Sequence, residues 1–144
     1  MDNLLKNQSY FKTKLQELLD FCFPEKSYNT NFISKRSIRA HKAYESALQG
    51  KNTEEEAEKI ANSILFRGLY FSKFNTILQV VTFEFDTIFV DQELRPFAIK
   101  MLNVCDGVFK KYDLTDDFAY STFYDYLYSD LKEHISDWIE NNLY

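Results

Sequence analysis

Apolar residues recur at helical spacing from one end of this chain to the other, and almost nothing interrupts them. Three glycines and two prolines in 144 residues leave few places for tight turns, which disfavours a turn-rich β-sandwich and any collagenous or disordered chain. Leu4, Leu5, Tyr10 or Phe11, Leu15, Leu18, Leu19 and Cys22 form the first stripe. It stops before Pro24, because a proline disfavours helical backbone in the residue ahead of it. After a polar connector at 25–31, a second helix is expected over 32–49. Ile38, Ala40, Ala43, Tyr44, Ala47 and Leu48 face inward on it, and Gly50 is its stop.

The third helix has the clearest start. Thr53 stands three residues before Glu56, the spacing at which the hydroxyl and the carboxylate each satisfy the other residue's backbone N–H. Ala57, Ile60, Ala61, Ile64 and Leu65 form its inward face, and Gly68 is the expected left-handed stop. Ser72 can cap a fourth helix carrying Phe74, Ile77, Leu78, Val81 and Phe85. Its continuation, TILQVVTFEFDTIFV at 76–90, is rich in β-branched and aromatic residues and also suits a strand; the helical spacing decides for helix. A fifth helix follows Asp91, with Pro96 in or near its first turn and a stripe of Leu94, Phe97, Ala98, Met101, Leu102, Cys105, Val108 and Phe109. A sixth begins near Ser121 and turns Phe123, Leu127, Leu131, Ile135, Trp138 and Ile139 inward. The expectation is an all-α, compact multihelical fold of about six helices, one domain over 1–144.

No uninterrupted run of about 18 apolar residues occurs, so no membrane span is expected. The opening MDNLLKNQSYFKTK lacks the apolar stretch and cleavage site of a secretory signal. Cys22 and Cys105 show no paired spacing and read as buried hydrophobes in a reducing compartment. A cytoplasmic location is expected. The net charge of −5 is unevenly spread. Residues 1–72 hold eleven Lys/Arg against nine Asp/Glu, whereas residues 73–144 hold six against thirteen, a net of −7. Such an acidic half disfavours wholesale binding to a phosphate backbone, but suits a basic partner or mimicry of nucleic acid.

Motifs for catalysis are missing. Gly50, Gly68 and Gly107 stand alone, so no phosphate-cradling loop can be built from them, and HExxH, CxxC and GxSxG do not occur. His41, His134 and the two cysteines are too scattered to suggest a metal centre or a thiol nucleophile. The acidic run at 113–117 invites comparison with a calcium loop. Counting from Asp113, however, Phe118 occupies the sixth position and Tyr124 the twelfth, where such a loop needs glycine and glutamate. No catalytic residue, metal or cofactor is assigned.

Two surface features remain. Lys35, Arg36, Arg39 and Lys42 sit on the second helix, with 35, 39 and 42 on one face; they could meet phosphates, or solvent and acidic neighbours. The other is aromatic. Six of the eleven residues at 118–128 are Phe or Tyr, preceded by the acidic run, and one buried stripe cannot absorb them all. Phe118, Tyr120 and Phe123 read as packing where the sixth helix starts, which leaves Tyr124, Tyr126 and Tyr128 as surplus rings.

Two segments carry a family resemblance: LFRGLYFSK at 65–73 and LTDDFAYS at 114–121, together with Glu55-x-Ala57 and the turn at Asn52. They resemble a small uncharacterised family of helical proteins from gut-dwelling anaerobic bacteria, over nearly the whole chain from about Tyr10. The resemblance implies an all-helical fold of similar length and an association with mobile elements, sometimes joined to larger DNA-processing proteins. It brings no catalytic or ligand residues. Its motifs read as structural: Gly68 stops a helix, Ser72 and Ser121 cap the next ones, and Phe71, Phe118 and Tyr120 plug the junctions.

The expected function is therefore a non-enzymatic protein–protein interaction or accessory module, linked to mobile-element DNA processing. Its partner surface is expected at Tyr120, Tyr124, Tyr126 and Tyr128 with Asp116, Asp117 and Asp125. The alternative is a nucleic-acid-binding protein using Lys35, Arg36, Arg39 and Lys42, or an acidic regulatory mimic of DNA.

Overall fold

The computed structural model describes residues 6–143; Leu4 and Leu5 of the first stripe lie outside them. Among the described residues the fold is all-α. Seven α-helices occur: α1 (Gln8–Cys22), α2 (Thr30–Gln49), α3 (Glu54–Leu65), α4 (Lys73–Glu84), α5 (Asp91–Val104), α6 (Asp106–Phe109) and α7 (Tyr124–Leu143). Short 3-10 turns lie at Pro24–Lys26 and Phe118–Tyr120. None of the described helices is long and apolar enough to cross a membrane. The chain divides into two compact units, residues 6–69 and 70–143.

In the first unit, α2 packs on both α1 and α3. Phe11, Leu15 and Leu19 are fully buried, and each such side chain contributes roughly 1.5–3 kcal/mol by leaving water. The facing surfaces use Ala40 and Ala47 of α2 and Ala57 and Ala61 of α3, all buried, which lets helices approach closely. α2 starts two residues earlier than its stripe suggests, because the Asn29 side chain accepts the Phe32 N–H at 3.1 Å and so caps it. Its buried line is Ile33, Ser37, Ala40, Tyr44 and Ala47. Ile38, expected inward, stands exposed, one residue and about 100° off that line. Ser37 takes the buried place by donating its hydroxyl to the Ile33 carbonyl at 2.6 Å. On α3, Ile60 is likewise exposed.

The helix stops differ from one another. Gly50 ends α2 with an ordinary φ of −80°, and the left-handed residue is the next one, Lys51 (φ 70°). Asn52 Nδ2 closes this turn by donating to the Ala47 carbonyl at 3.0 Å. The Thr53–Glu56 capping box forms in both directions, at 3.1 and 2.8 Å. Gly68 has φ +80°, as a left-handed stop requires.

A polar seam joins α1 to α3. Tyr10 donates its hydroxyl to the Glu58 carboxylate. Lys14 Nζ lies 2.8 Å from Glu58 and 3.0 Å from Asn62 Oδ1. Lys6 pairs with Glu54, which also accepts the hydroxyl of buried Tyr44 at 3.2 Å. Burial alone would raise the Glu58 pKa, but hydrogen bonds from Lys14 and Tyr10 outweigh it and bring the carboxyl down to about 2. The Glu54 carboxylate, helped by Glu58, holds Lys6 charged well above its ordinary range.

In the second unit the ambiguous segment is helix only as far as Glu84; residues 85–90, expected to continue it, form a non-helical connection to α5. Ser72 Oγ accepts the Asn75 N–H at 2.9 Å, and buried Thr76 returns its hydroxyl to the Ser72 carbonyl at 2.9 Å. The β-branched residues Thr76, Val80 and Val81 are all buried here, so packing overrides their strand preference. α5 opens with Glu93 accepting the Val90 N–H at 2.9 Å. Asp91 is already helical, so Pro96 falls in the second turn rather than the first. There its missing N–H forgoes a bond to the Gln92 carbonyl, on a face exposed to water. The expected fifth stripe is interrupted at Cys105, the residue between α5 and α6, so Val108 and Phe109 lie on α6; seven α-helices among the described residues agree with the expected number of about six. Cys105 is buried, and burial pushes its thiol up to about 12, so it is no nucleophile at neutral pH. It belongs to a core that also holds Phe74, Ile77, Val81, Ala98, Met101 and Phe109, with Leu127, Leu131, Ile135 and Ile139 of α7.

Two tests follow from these elements. A Cβ added at Gly68 meets nothing within 4 Å, so Gly68→Ala carries only the cost of left-handed backbone, roughly 1–2 kcal/mol. Gly107, helical and equally open, gives the opposite sign: Gly107→Ala stabilises by roughly 0.5–1 kcal/mol. Urea denaturation of both variants checks the pair. The Glu58 carboxyl, ordinarily near 4.5 and here about 2, binds its proton more weakly in the folded state. Its contribution is therefore complete above about pH 4.5 and is lost as pH falls towards 2. The stability gap between wild type and Glu58→Gln is expected to close over that window, and a gap independent of pH would contradict the seam.

Candidate interaction surface

The rings ahead of and inside α7 are sorted by one geometric fact. Leu127, Leu131, Ile135 and Ile139 form its buried line, and successive i+4 positions drift by about 40° around a helix. Tyr124 and Tyr128 fall beside the middle of that line and pack against the core as half-buried rings. Tyr124 donates its hydroxyl to Gln79 Oε1 at 3.0 Å, and Tyr128 donates to Glu84 Oε2 at 3.0 Å. Lys132 Nζ holds the other Glu84 oxygen at 3.0 Å. Burial, then the Glu84 carboxylate, pushes Tyr128 up to about 12; burial, then Asp125, raises Tyr124. Lys132 and Tyr128 in turn lower Glu84.

The surplus rings are others. Phe123, expected inward, is 58% exposed, and Tyr126 is 66% exposed; their rings lie 6.4 Å apart. Tyr120, expected as a junction plug, is 92% exposed. Phe71 and Phe118 do plug the junction: both are buried, and Phe118 meets Phe71 edge-on at 5.1 Å and Tyr112 at 5.9 Å. The Ser121 hydroxyl donates to the Phe118 carbonyl at 2.8 Å and accepts the Phe123 N–H at 3.3 Å, so it shapes the turn ahead of α7, which starts only at Tyr124. Tyr112 donates its hydroxyl to Asp130 and ties the preceding loop to α7.

Exposed Tyr120 forms one wall of an open groove of about 570 Å³ lined by Tyr70, Thr115, Asp116, Asp117, Ala119 and Tyr120. Asp116 Oδ1 accepts the Tyr70 N–H at 3.1 Å, which pins the loop at 113–117 to the start of the second unit. The Thr115 hydroxyl donates to Asp117 Oδ1 at 2.6 Å. A second depression of about 350 Å³ shares Thr115 and reaches Phe123. Of the expected partner residues, the fold thus groups Asp116, Asp117 and Tyr120 in one groove and leaves Tyr126 and Asp125 exposed on α7. It commits Tyr124 and Tyr128 to packing. Tyr70, the opposite wall and 60% exposed, went unnoticed. The signal was an aromatic next to the Gly68 stop in LFRGLYFSK, read there as purely structural.

The basic strip is reduced in the same way. Arg36 Nη1 donates to the carbonyls of Ile64, Leu65 and Arg67 at 3.2, 3.1 and 2.7 Å, closing the carboxyl end of α3, where cations are favoured. Its guanidinium also lies over Phe32 at 4.7 Å. Lys35, Arg39 and Lys42 remain exposed. His41 rests against buried Phe11 and lies 3.6 Å from Glu45. His134 is exposed, with Nε2 3.1 Å from the Val104 carbonyl. Among the described residues no group of three His, Cys, Asp or Glu converges as a metal ion would require.

These features define an all-α protein of two helical units with an aromatic, acidic corner on the second. The chain belongs to the DUF1896 family, a domain of unknown function, whose pattern matches residues 4–143. It is similar to protein PG0816 from Porphyromonas gingivalis, known from a crystal structure, at 38% identity over 94% of this chain and 93% of that one, with a TM-score of 0.90. No curated protein matches it.

The sorting of rings has a direct test in stability. Tyr128→Phe leaves Glu84 without its hydroxyl donor and is expected to cost about 1 kcal/mol. Tyr120→Ala and Tyr126→Ala are expected to stay within about 0.5 kcal/mol of wild type, as exposed positions do. Urea denaturation that ranks them the other way would reverse the assignment.

Proposed function

We propose that the protein is a non-enzymatic protein–protein interaction module that docks a basic segment of a partner on the corner formed by Tyr70, Tyr120, Phe123 and Tyr126. The observation that carries this reading is the exposure of three large rings within seven residues, at 120–126, while Phe118, Tyr124 and Tyr128 beside them are packed. Exposed tyrosines give a large contact area at low entropy cost and are enriched at interfaces. The partner's charge follows from the surface: Asp116, Asp117 and Asp125 flank the rings, and residues 70–144 carry a net of −7.

The module acts in the cytoplasm. The resemblance to helical proteins associated with mobile elements supports a partner among DNA-processing proteins. Direct nucleic-acid binding is the weaker reading, since Arg36 is engaged with α3 and three exposed cations make a small footprint.

The test compares partner recovery from native host extract by wild type and by the Tyr120→Ala/Phe123→Ala/Tyr126→Ala variant. Loss of one central interface tyrosine commonly costs about 2 kcal/mol, so recovery is expected to fall by at least about 30-fold while the unfolding midpoint stays put. Tyr28→Ala, at a 92% exposed position in the first unit, is the control and recovers partner normally. Undiminished recovery by the triple variant would overturn the reading.

A further inference from the structure

The groove beside Tyr120 has a chemistry more specific than a sticky surface. Its lining supplies two tyrosines, two aspartates, a threonine and an alanine, with no lysine or arginine among them. An anion there meets carboxylates, and a purely apolar group leaves them to be desolvated without compensation. A cation satisfies both kinds of wall: ring faces attract positive charge, and carboxylates pair with it. At about 570 Å³ the groove falls within the range of ligand pockets, roughly 300–1,000 Å³, which leaves room for the alkyl stem behind a charged head.

We propose that this groove receives an arginine side chain presented by the partner segment. The proposal rests on the interaction reading above and names its ligand. Arginine is preferred to lysine because a guanidinium is flat, stacks on aromatic faces and offers forked donors to a carboxylate, whereas an ammonium is a compact, strongly hydrated charge. The protein's own cations behave accordingly. The guanidinium carbons of Arg36 and Arg95 lie 4.7 and 4.6 Å from the centroids of Phe32 and Phe74. Lys14 Nζ stands 5.4 Å from that of Tyr10 and 5.9 Å from that of Phe66.

Within the groove the roles divide. Asp116, through its bond to the Tyr70 N–H, is a positioning residue that fixes one aromatic wall. Asp117 is exposed, with Oδ1 held by the Thr115 hydroxyl, and presents the carboxylate that the guanidinium meets. Tyr120, almost fully exposed, is the face on which it stacks.

The test is a titration of the isotope-labelled full chain, followed by amide chemical shifts, with the acetylated and amidated pentapeptide Gly-Leu-Arg-Leu-Gly. The same peptide is made with lysine, and with citrulline, which keeps the shape of arginine and removes its charge. The arginine peptide is expected to give saturable shifts centred on Thr115, Asp117, Ala119 and Tyr120, with the lysine peptide weaker and the citrulline peptide at least tenfold weaker. Tyr120→Ala and Asp117→Asn are each expected to weaken the arginine peptide about tenfold; spectra that otherwise overlay wild type show the fold intact. No saturable shift in the groove, or equal binding of citrulline or lysine, overturns the proposal. The interaction reading fails separately. Partner recovery that survives Asp117→Asn but not the triple variant rejects arginine alone, whereas recovery that survives the triple variant rejects the interaction surface.

Discussion

One line of aliphatic side chains, Leu127, Leu131, Ile135 and Ile139, sets the rotation of α7, and the fate of each neighbouring ring depends on it. All four are buried, and together they bury enough apolar surface, at roughly 1.5–3 kcal/mol per side chain, to outweigh any preference of a single tyrosine. Once that line faces the core, Tyr124 and Tyr128 lie beside it and need acceptors for their hydroxyls. α4 supplies them as Gln79 and Glu84. Tyr126, on the far side of the helix, has no core to join. The corner is thus a by-product of where the leucines and isoleucines point.

That constraint also explains where the sequence was legible and where it misled. Features decided within a turn or two of helix read through directly: the Thr53–Glu56 box, the left-handed Gly68, the Ser72 cap and the helical choice for α4. Phe123 failed for a geometric reason. It lies four residues before Leu127, but a chain of i+4 steps rotates by about 40° each time. Phe123 therefore sits at one edge of the stripe, outside the first residue of α7. Tyr120 failed because it belongs to a 3-10 turn whose periodicity differs from that of the helix behind it. In α2, Ile38 was assigned inward for being apolar, whereas Ser37 held the correct angle and satisfied its hydroxyl locally.

Long-range polar contacts could not be foreseen at all. Arg36 looked like one of four surface cations, yet it closes the carboxyl end of α3 through carbonyls 28 to 31 positions away. Tyr10, Lys14 and Glu58 meet across 44 to 48 positions. No local spacing announces such pairs, because helix packing rather than chain distance brings them together. They change the functional reading by subtraction. A charge or ring engaged in holding helices is not available to a partner without loss of stability, so the candidate surface is what survives after Arg36, Tyr124 and Tyr128 are removed from it.

What survives is held in a particular way. Tyr120 stands on a short 3-10 turn whose Phe118 is buried between Phe71 and Tyr112, and Tyr70 has its backbone N–H fixed by Asp116. The two walls of the groove thus belong to segments immobilised by packing and hydrogen bonding before any ligand arrives. Ordering the backbone behind these rings therefore adds little cost on binding, and low ordering cost decides affinity more than buried area does. The same loop that pins Tyr70 carries the aspartates. Fixing the aromatic wall and placing the negative charge are therefore one structural act, and on the proposed reading this is what lets the groove, rather than the acidic surface as a whole, choose between partners.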